Sequence, residues 1–194
     1  MKKTVVIVAI LAGLLLGACG ESGPTDEEKK AAADERAKAT KLAQQAKSAA
    51  TLATGCQQDL GSLIKALRNT GSRLDVGLTF ADYSTQVGQI SVAYNRIPFK
   101  RMDFECISPA GVKAEKAFGS YTDAYNQWND CISDLYCDTD SIESDLQDNW
   151  SKADRQTRQA RSALFELETE AVQAQAQADQ QKKKADETEA ALET

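Results

Sequence analysis

The sequence predicts an all-α protein, an antiparallel four-helix bundle head carried on a long Ala-rich helical hairpin stalk and closed by two disulfides. Three observations carry that expectation. Apolar residues recur at alternating spacings of three and four through two long stretches, one in each half of the chain. Helix-start signatures stand ahead of these two stretches and of two shorter apolar stripes between them, and only three prolines interrupt 194 residues. Cys56, Cys106, Cys131 and Cys137 form an even set that such a bundle would bring together in pairs.

The first helix opens at Thr25-Asp26-Glu27-Glu28, a capping hydroxyl with a glutamate three residues on. No glycine or proline follows until Gly55. Its seam runs through Leu42, Ala46, Ala49, Ala53, Cys56, Leu60, Leu63 and Leu67, and Gly71 is expected to close it. Thr79 caps the second helix, whose stripe is Phe80, Tyr83, Val87, Ile90, Tyr94 and Ile97, stopped by Pro98. Ser108-Pro109 reads as cap and first turn of the third. Its stripe is Ala114, Phe118, Tyr121, Tyr125, Trp128, Ile132 and Leu135. Asp140, with Glu143 three on, opens the fourth. Ile142, Leu146, Ala153, Ala160, Leu164, Leu167, Ala171, Ala174, Ala178 and Ala185 line that helix at heptad spacing, with polar lapses at Asn149, Thr157 and Gln181.

Short links favour antiparallel neighbours. At about 1.5 Å per residue the second helix descends far enough to return its following connection to the level of Cys56. This register predicts Cys56–Cys106 and Cys131–Cys137 as the disulfides. It also predicts a head over residues 51–167 and a stalk of 26–50 paired with 168–193, lined by alanine and therefore weaker per residue than the head. Solvated, partly helical tails are the alternative to an ordered stalk.

The chain begins with Lys2-Lys3 and the apolar run Val5 to Leu16, too short to cross a bilayer as a helix. Leu16-Gly17-Ala18-Cys19 ends it. This segment resembles the lipobox signal of bacterial lipoproteins. The resemblance implies removal of residues 1–18, lipid on the Cys19 thiol, and residues 19–25 as a linker to the helical domain. It further implies an extracytoplasmic, lipid-anchored place in the cell envelope. Gly20 stands where an inner-membrane retention signal has Asp, which points to the outer membrane of a two-membrane cell and otherwise to the outer face of the plasma membrane. Two or three acyl chains, at about 0.8 kcal/mol per buried CH₂, make such an anchor slow to detach.

Without its first eighteen residues the chain loses Lys2 and Lys3, keeping 21 basic against 29 acidic residues, a net charge of −8. Nucleic acid is not an expected partner of so acidic a chain. There is no histidine, two disulfides consume the remaining thiols, and no Gly-rich phosphate loop occurs, so neither catalysis, a metal nor a cofactor is expected. The segment Asp138 to Asp145 resembles half a calcium loop but has Glu143 where an EF-hand needs glycine. Lys182-Lys183-Lys184 reads as a solvated helix face or a contact with anionic lipid or wall polymer. Tyr121, Tyr125, Trp128 and Trp150 read either as core or as a groove for a partner.

The plan of an acylated N-terminus followed by Ala-rich heptads resembles the small helical envelope lipoproteins, including the murein lipoprotein family. That family's C-terminal lysine is replaced here by Thr194, so covalent attachment to the wall is not implied. The stretch from Tyr125 through Cys131 to Trp150 resembles a domain of exported helical bacterial proteins without an assigned activity. Two functions are expected from these observations. The first is a membrane-anchored structural or protein-binding module contacting another envelope protein or a cell-wall polymer. The second is a small-ligand-binding or exclusion-type inhibitor lipoprotein.

Overall fold

A computed structural model describes residues 23–193, so the signal segment, Cys19 and the first part of the linker lie outside the described residues. Among the described residues the chain is all-helical, without strands. Four longer helices dominate: α1 (Asp26–Leu74), α2 (Phe80–Asn95), α3 (Val112–Ser133) and α4 (Glu143–Ala190).

Thr25 starts α1 as its sequence requires. Its hydroxyl accepts from the Glu28 amide at 3.3 Å, while Glu28 Oε2 accepts from the Thr25 amide at 2.8 Å. The acidic first turn Asp26-Glu27-Glu28 complements the helix dipole. Gly71 does not close this helix, which continues to Leu74; the reversal is made at Gly77, whose φ of 99° suits glycine. Thr79 caps α2 by accepting from the Asp82 amide at 3.2 Å. That helix stops at Asn95, ahead of Pro98.

The third helix corrects an expectation. Ser108-Pro109 is not its start, because the chain is already helical from Phe104–Cys106 and passes through a π-helical stretch, Ile107–Gly111, before α3. Pro109 has no N–H to donate and its ring crowds the carbonyl four residues back, and a π turn is a local widening that accommodates it. Asp140 is likewise not the cap of α4. It lies in a short 3-10 turn, Thr139–Ser141, where Asp138 Oδ1 accepts its amide at 3.1 Å, and α4 follows at Glu143.

Leu60, Leu63 and Leu67 of α1, Tyr83 and Ile90 of α2 and Tyr121 of α3 are fully buried. Ala114, Ala117 and Ala124 of α3 and Ala153 and Ala160 of α4 fill the positions opposite, small enough to let helices approach closely. The polar lapse at Thr157 is harmless, since its hydroxyl donates to the Ala153 carbonyl at 2.8 Å.

The helices α1 and α4 run in opposite directions against each other. Gly71 near the end of α1 sits beside Asp154 near the start of α4. At the other end Arg36 pairs with Glu189, and Glu35 meets Lys184 at 3.2 Å and accepts a hydrogen bond from Gln181. Between them Ala39, Ala46 and Ala53 on one helix and Ala171, Ala178 and Ala185 on the other are buried at seven-residue intervals.

Candidate functional site

Three of the four aromatic residues singled out by the sequence, Tyr125, Trp128 and Trp150, come together with two rings of α2. Phe80 stacks on Tyr125 at 5.5 Å and meets Trp128 edge-on at 5.6 Å. Tyr83 lies 5.9 Å from Trp128 and 5.6 Å from Trp150, and the two tryptophans are 5.9 Å apart. These separations suit packed aromatic pairs. Tyr121 is fully buried in the core, its backbone carbonyl accepting from the Tyr83 hydroxyl, and Tyr125, Trp128 and Trp150 are half-buried against the core. Burial raises the phenols of Tyr83 and Tyr121 above the ordinary tyrosine range, which holds both protonated. The cluster locks α2, α3 and α4 together and carries no reactive group.

Both cysteine pairs stand at disulfide distance. Cys56 on α1 faces Cys106 just before α3 with Cα atoms 5.5 Å apart, and Cys131 faces Cys137 at 5.2 Å. They are the two pairs that the helix register predicts.

The second pair closes the end of the molecule where α3 turns into α4. There the stripe of α3 overshoots: Ile132 is 49 % and Leu135 97 % exposed, and neither belongs to the core. The reason is local. The helix ends at Ser133, and Asp134 takes an extended conformation that turns the following residues outward. Asp134 Oδ1 accepts the Tyr136 amide at 2.9 Å, its carbonyl accepts the Cys137 amide at 3.2 Å, and Tyr136 is 95 % exposed. Val76, in the α1–α2 turn at the same end, is 89 % exposed.

A second feature lies on the flank between α1 and α4. A groove of about 750 Å³ is floored by Ile64 and Leu164 and bordered by Phe165, by Lys65, Arg68, Arg158 and Arg161, and by a single carboxylate, Glu168. Arg158 is paired with Asp154 on its own helix. Among the described residues Lys65, Arg68 and Arg161 have no carboxylate within salt-bridge distance. In a chain of net charge −6 this flank is locally basic. The sequence reading missed both the groove and the exposed Leu135-Tyr136. The i,i+3 pairs Lys65/Arg68 and Arg158/Arg161 were the available signal for the groove, together with the absence of any cation between Ala117 and Ser151 for the loop.

The lysine run divides: Lys184 pairs with Glu35, Lys183 with Glu187 at 3.7 Å, and Lys182 is exposed. No group of three or more potential metal ligands occurs among the described residues, and none of the described helices is long and apolar enough to cross a membrane. No protein-family model matches this chain, and no curated protein or solved structure is measurably similar to it.

Proposed function

We propose that the chain is a lipoprotein anchored through Cys19 to the outer face of an envelope membrane, where it serves as a non-catalytic structural or protein-binding module. In this reading the fold is a four-helix head on an Ala-lined hairpin stalk. Helices of 49 and 48 residues, at about 1.5 Å per residue, give a rod of roughly 70 Å. Asp26 begins α1 seven residues after Cys19, so the Glu35 end of the rod lies toward the membrane and the Cys131–Cys137 loop away from it.

One observation carries the binding role: the loop far from the anchor holds Leu135 and Tyr136 almost wholly in solvent. Large apolar side chains presented by a cross-linked loop favour a partner that covers them. The aromatic cluster supports a small-ligand role less well, because its rings contact one another at packing distances.

The anchor is tested by labelling cells with radioactive palmitate and fractionating them. The expected result is label in the membrane fraction for the natural chain and neither label nor membrane retention for Cys19→Ser. An unlabelled natural chain in the soluble fraction would overturn the reading.

A further inference from the structure

We propose that the chain binds a second copy of itself, the acidic, apolar-tipped loop between α3 and α4 of one copy seating in the basic groove between α1 and α4 of the next. The proposal deepens the protein-binding reading and does not involve the lipid.

The two surfaces are complementary in charge. Between Ala117 and Ser151 there are eight carboxylates and no lysine or arginine. Asp134, Asp138, Asp140 and Glu143 of that stretch are exposed around Leu135 and Tyr136. The groove offers Lys65, Arg68 and Arg161, unpaired, with Arg158 held by a single carboxylate. Surfaces of opposite sign steer encounter and fix register.

They are complementary in hydrophobicity as well. Phe165 is 66 % exposed at the groove edge, above Ile64 and Leu164. Gly61 leaves room for a close backbone, since a Cβ there would meet only the Gln57 side chain, at 3.6 Å. A tyrosine and arginines at the centre of the contact are the residue types that carry binding energy in interfaces.

The loop cannot reach the groove of its own chain. Lys65 precedes the end of α1 by nine residues, about 14 Å along the axis, and the Cys131–Cys137 pair holds the loop at the helix end. The contact is therefore made between copies, which can exchange loop and groove reciprocally about a two-fold axis or pass them on from one copy to the next.

The test mixes equal amounts of unlabelled and isotope-labelled full-length protein in detergent, adds a zero-length carbodiimide cross-linker, and identifies cross-linked peptides by mass spectrometry. The expected product joins Lys65 of one isotope to a carboxylate of residues 134–143 of the other. Sedimentation should show a weight that rises with concentration and falls with salt. Arg68→Glu with Arg161→Glu should weaken association about tenfold or more, and Asp138→Arg with Asp140→Arg in the other copy should restore it. Leu135→Ser with Tyr136→Ser, which touches no buried residue, should weaken it without changing the melting temperature. A monomer at every concentration overturns the proposal, as does association that neither pair of substitutions affects. Either result leaves palmitate labelling at Cys19 untouched.

Discussion

Tyr83 on α2 donates its phenolic proton to the backbone carbonyl of Tyr121 on α3 at 2.8 Å, fully inside the core. The bond is the buried one of two that join α2 to α3, the other running from the Tyr94 hydroxyl to Glu115, and it helps fix their relative rotation. Tyr83→Phe should therefore cost about 1 kcal/mol, the usual net value of a buried hydrogen bond. Tyr121→Phe should cost less, because its own hydroxyl is buried without a partner. Chemical denaturation of the two variants checks the order, and equal losses would contradict it.

The same phenols set an alkaline limit. Desolvation raises Tyr83 and Tyr121 above the ordinary value of 10, and raises Tyr94, which donates to Glu115 Oε1 at 2.8 Å, by desolvation and then by that bond. An acid whose folded pKa is raised contributes stability that is complete below its unfolded value and is lost as pH climbs above it. Stability should fall steeply above about pH 10, with the buried phenolates appearing together with the loss of helicity. Ionisation of Tyr83 and Tyr121 in a chain that keeps its helicity would count against this.

Glycine positions in the helices divide by what surrounds them. A Cβ at Gly88 or Gly119 meets nothing within 4 Å, so alanine there should stabilise by about 0.5–1 kcal/mol through helix propensity. A Cβ at Gly71 would stand 3.0 Å from the Tyr121 hydroxyl, and that ring is fully buried. Gly71→Ala should lose about 1 kcal/mol despite the same propensity gain, by crowding a closed site. Thermal melts of the three variants separate the cases.

Local signals made most of the fold legible and tertiary ones hid the rest. Thr25 and Thr79 act within one turn of themselves, and the Ala39-Ala46-Ala53 and Ala171-Ala178-Ala185 seams repeat the pairing signal over many turns. The start of α3 misled because Ser108-Pro109 has the form of a cap, whereas the chain before it was already helical and a π turn absorbed the proline. Its end misled because Ile132 and Leu135 continue the stripe while Asp134 breaks the helix beneath them. The basic groove was hidden for another reason: Lys65 and Arg161 stand 96 positions apart, and only the packing of α1 on α4 brings them to one surface.

The two cysteine pairs should differ in what they contribute. Cys56–Cys106 spans 50 residues and Cys131–Cys137 spans six, and the chain-entropy model gives roughly 4 and 2 kcal/mol respectively. Serine at Cys56 and Cys106 should lower the denaturation midpoint more than serine at Cys131 and Cys137. The second pair should show its effect mainly in faster amide exchange around Leu135 and Tyr136. Non-reducing peptide mapping of the natural chain supplies the pairing against which both are read.

Glu35 gives the Ala-lined end of the α1–α4 pair a dependence on pH. Its side chain is 16 % exposed, accepts from Gln181, and meets Lys38 and Lys184 at 3.2 Å each. These partners, the Gln181 bond foremost and then the two lysines, lower its pKa from 4.5 to about 2. A carboxyl with a depressed folded pKa contributes stability that is complete above the unfolded value and is lost as pH falls through the folded one. Ordering of this end should therefore weaken between about pH 4.5 and pH 2, while the leucine and tyrosine core, which has no carboxylate in it, holds. Alanine seams bury little area per residue, so the pairing there has few other contacts to fall back on. Glu35→Gln keeps the shape of the side chain and removes the charge. It should lower helicity at neutral pH and remove the acid-dependent change, as followed by circular dichroism and by amide exchange at Ala39 and Ala178. An unchanged acid transition in that variant would assign the effect to another carboxylate, with Glu28 next in line because the Thr25 backbone and hydroxyl lower its pKa too.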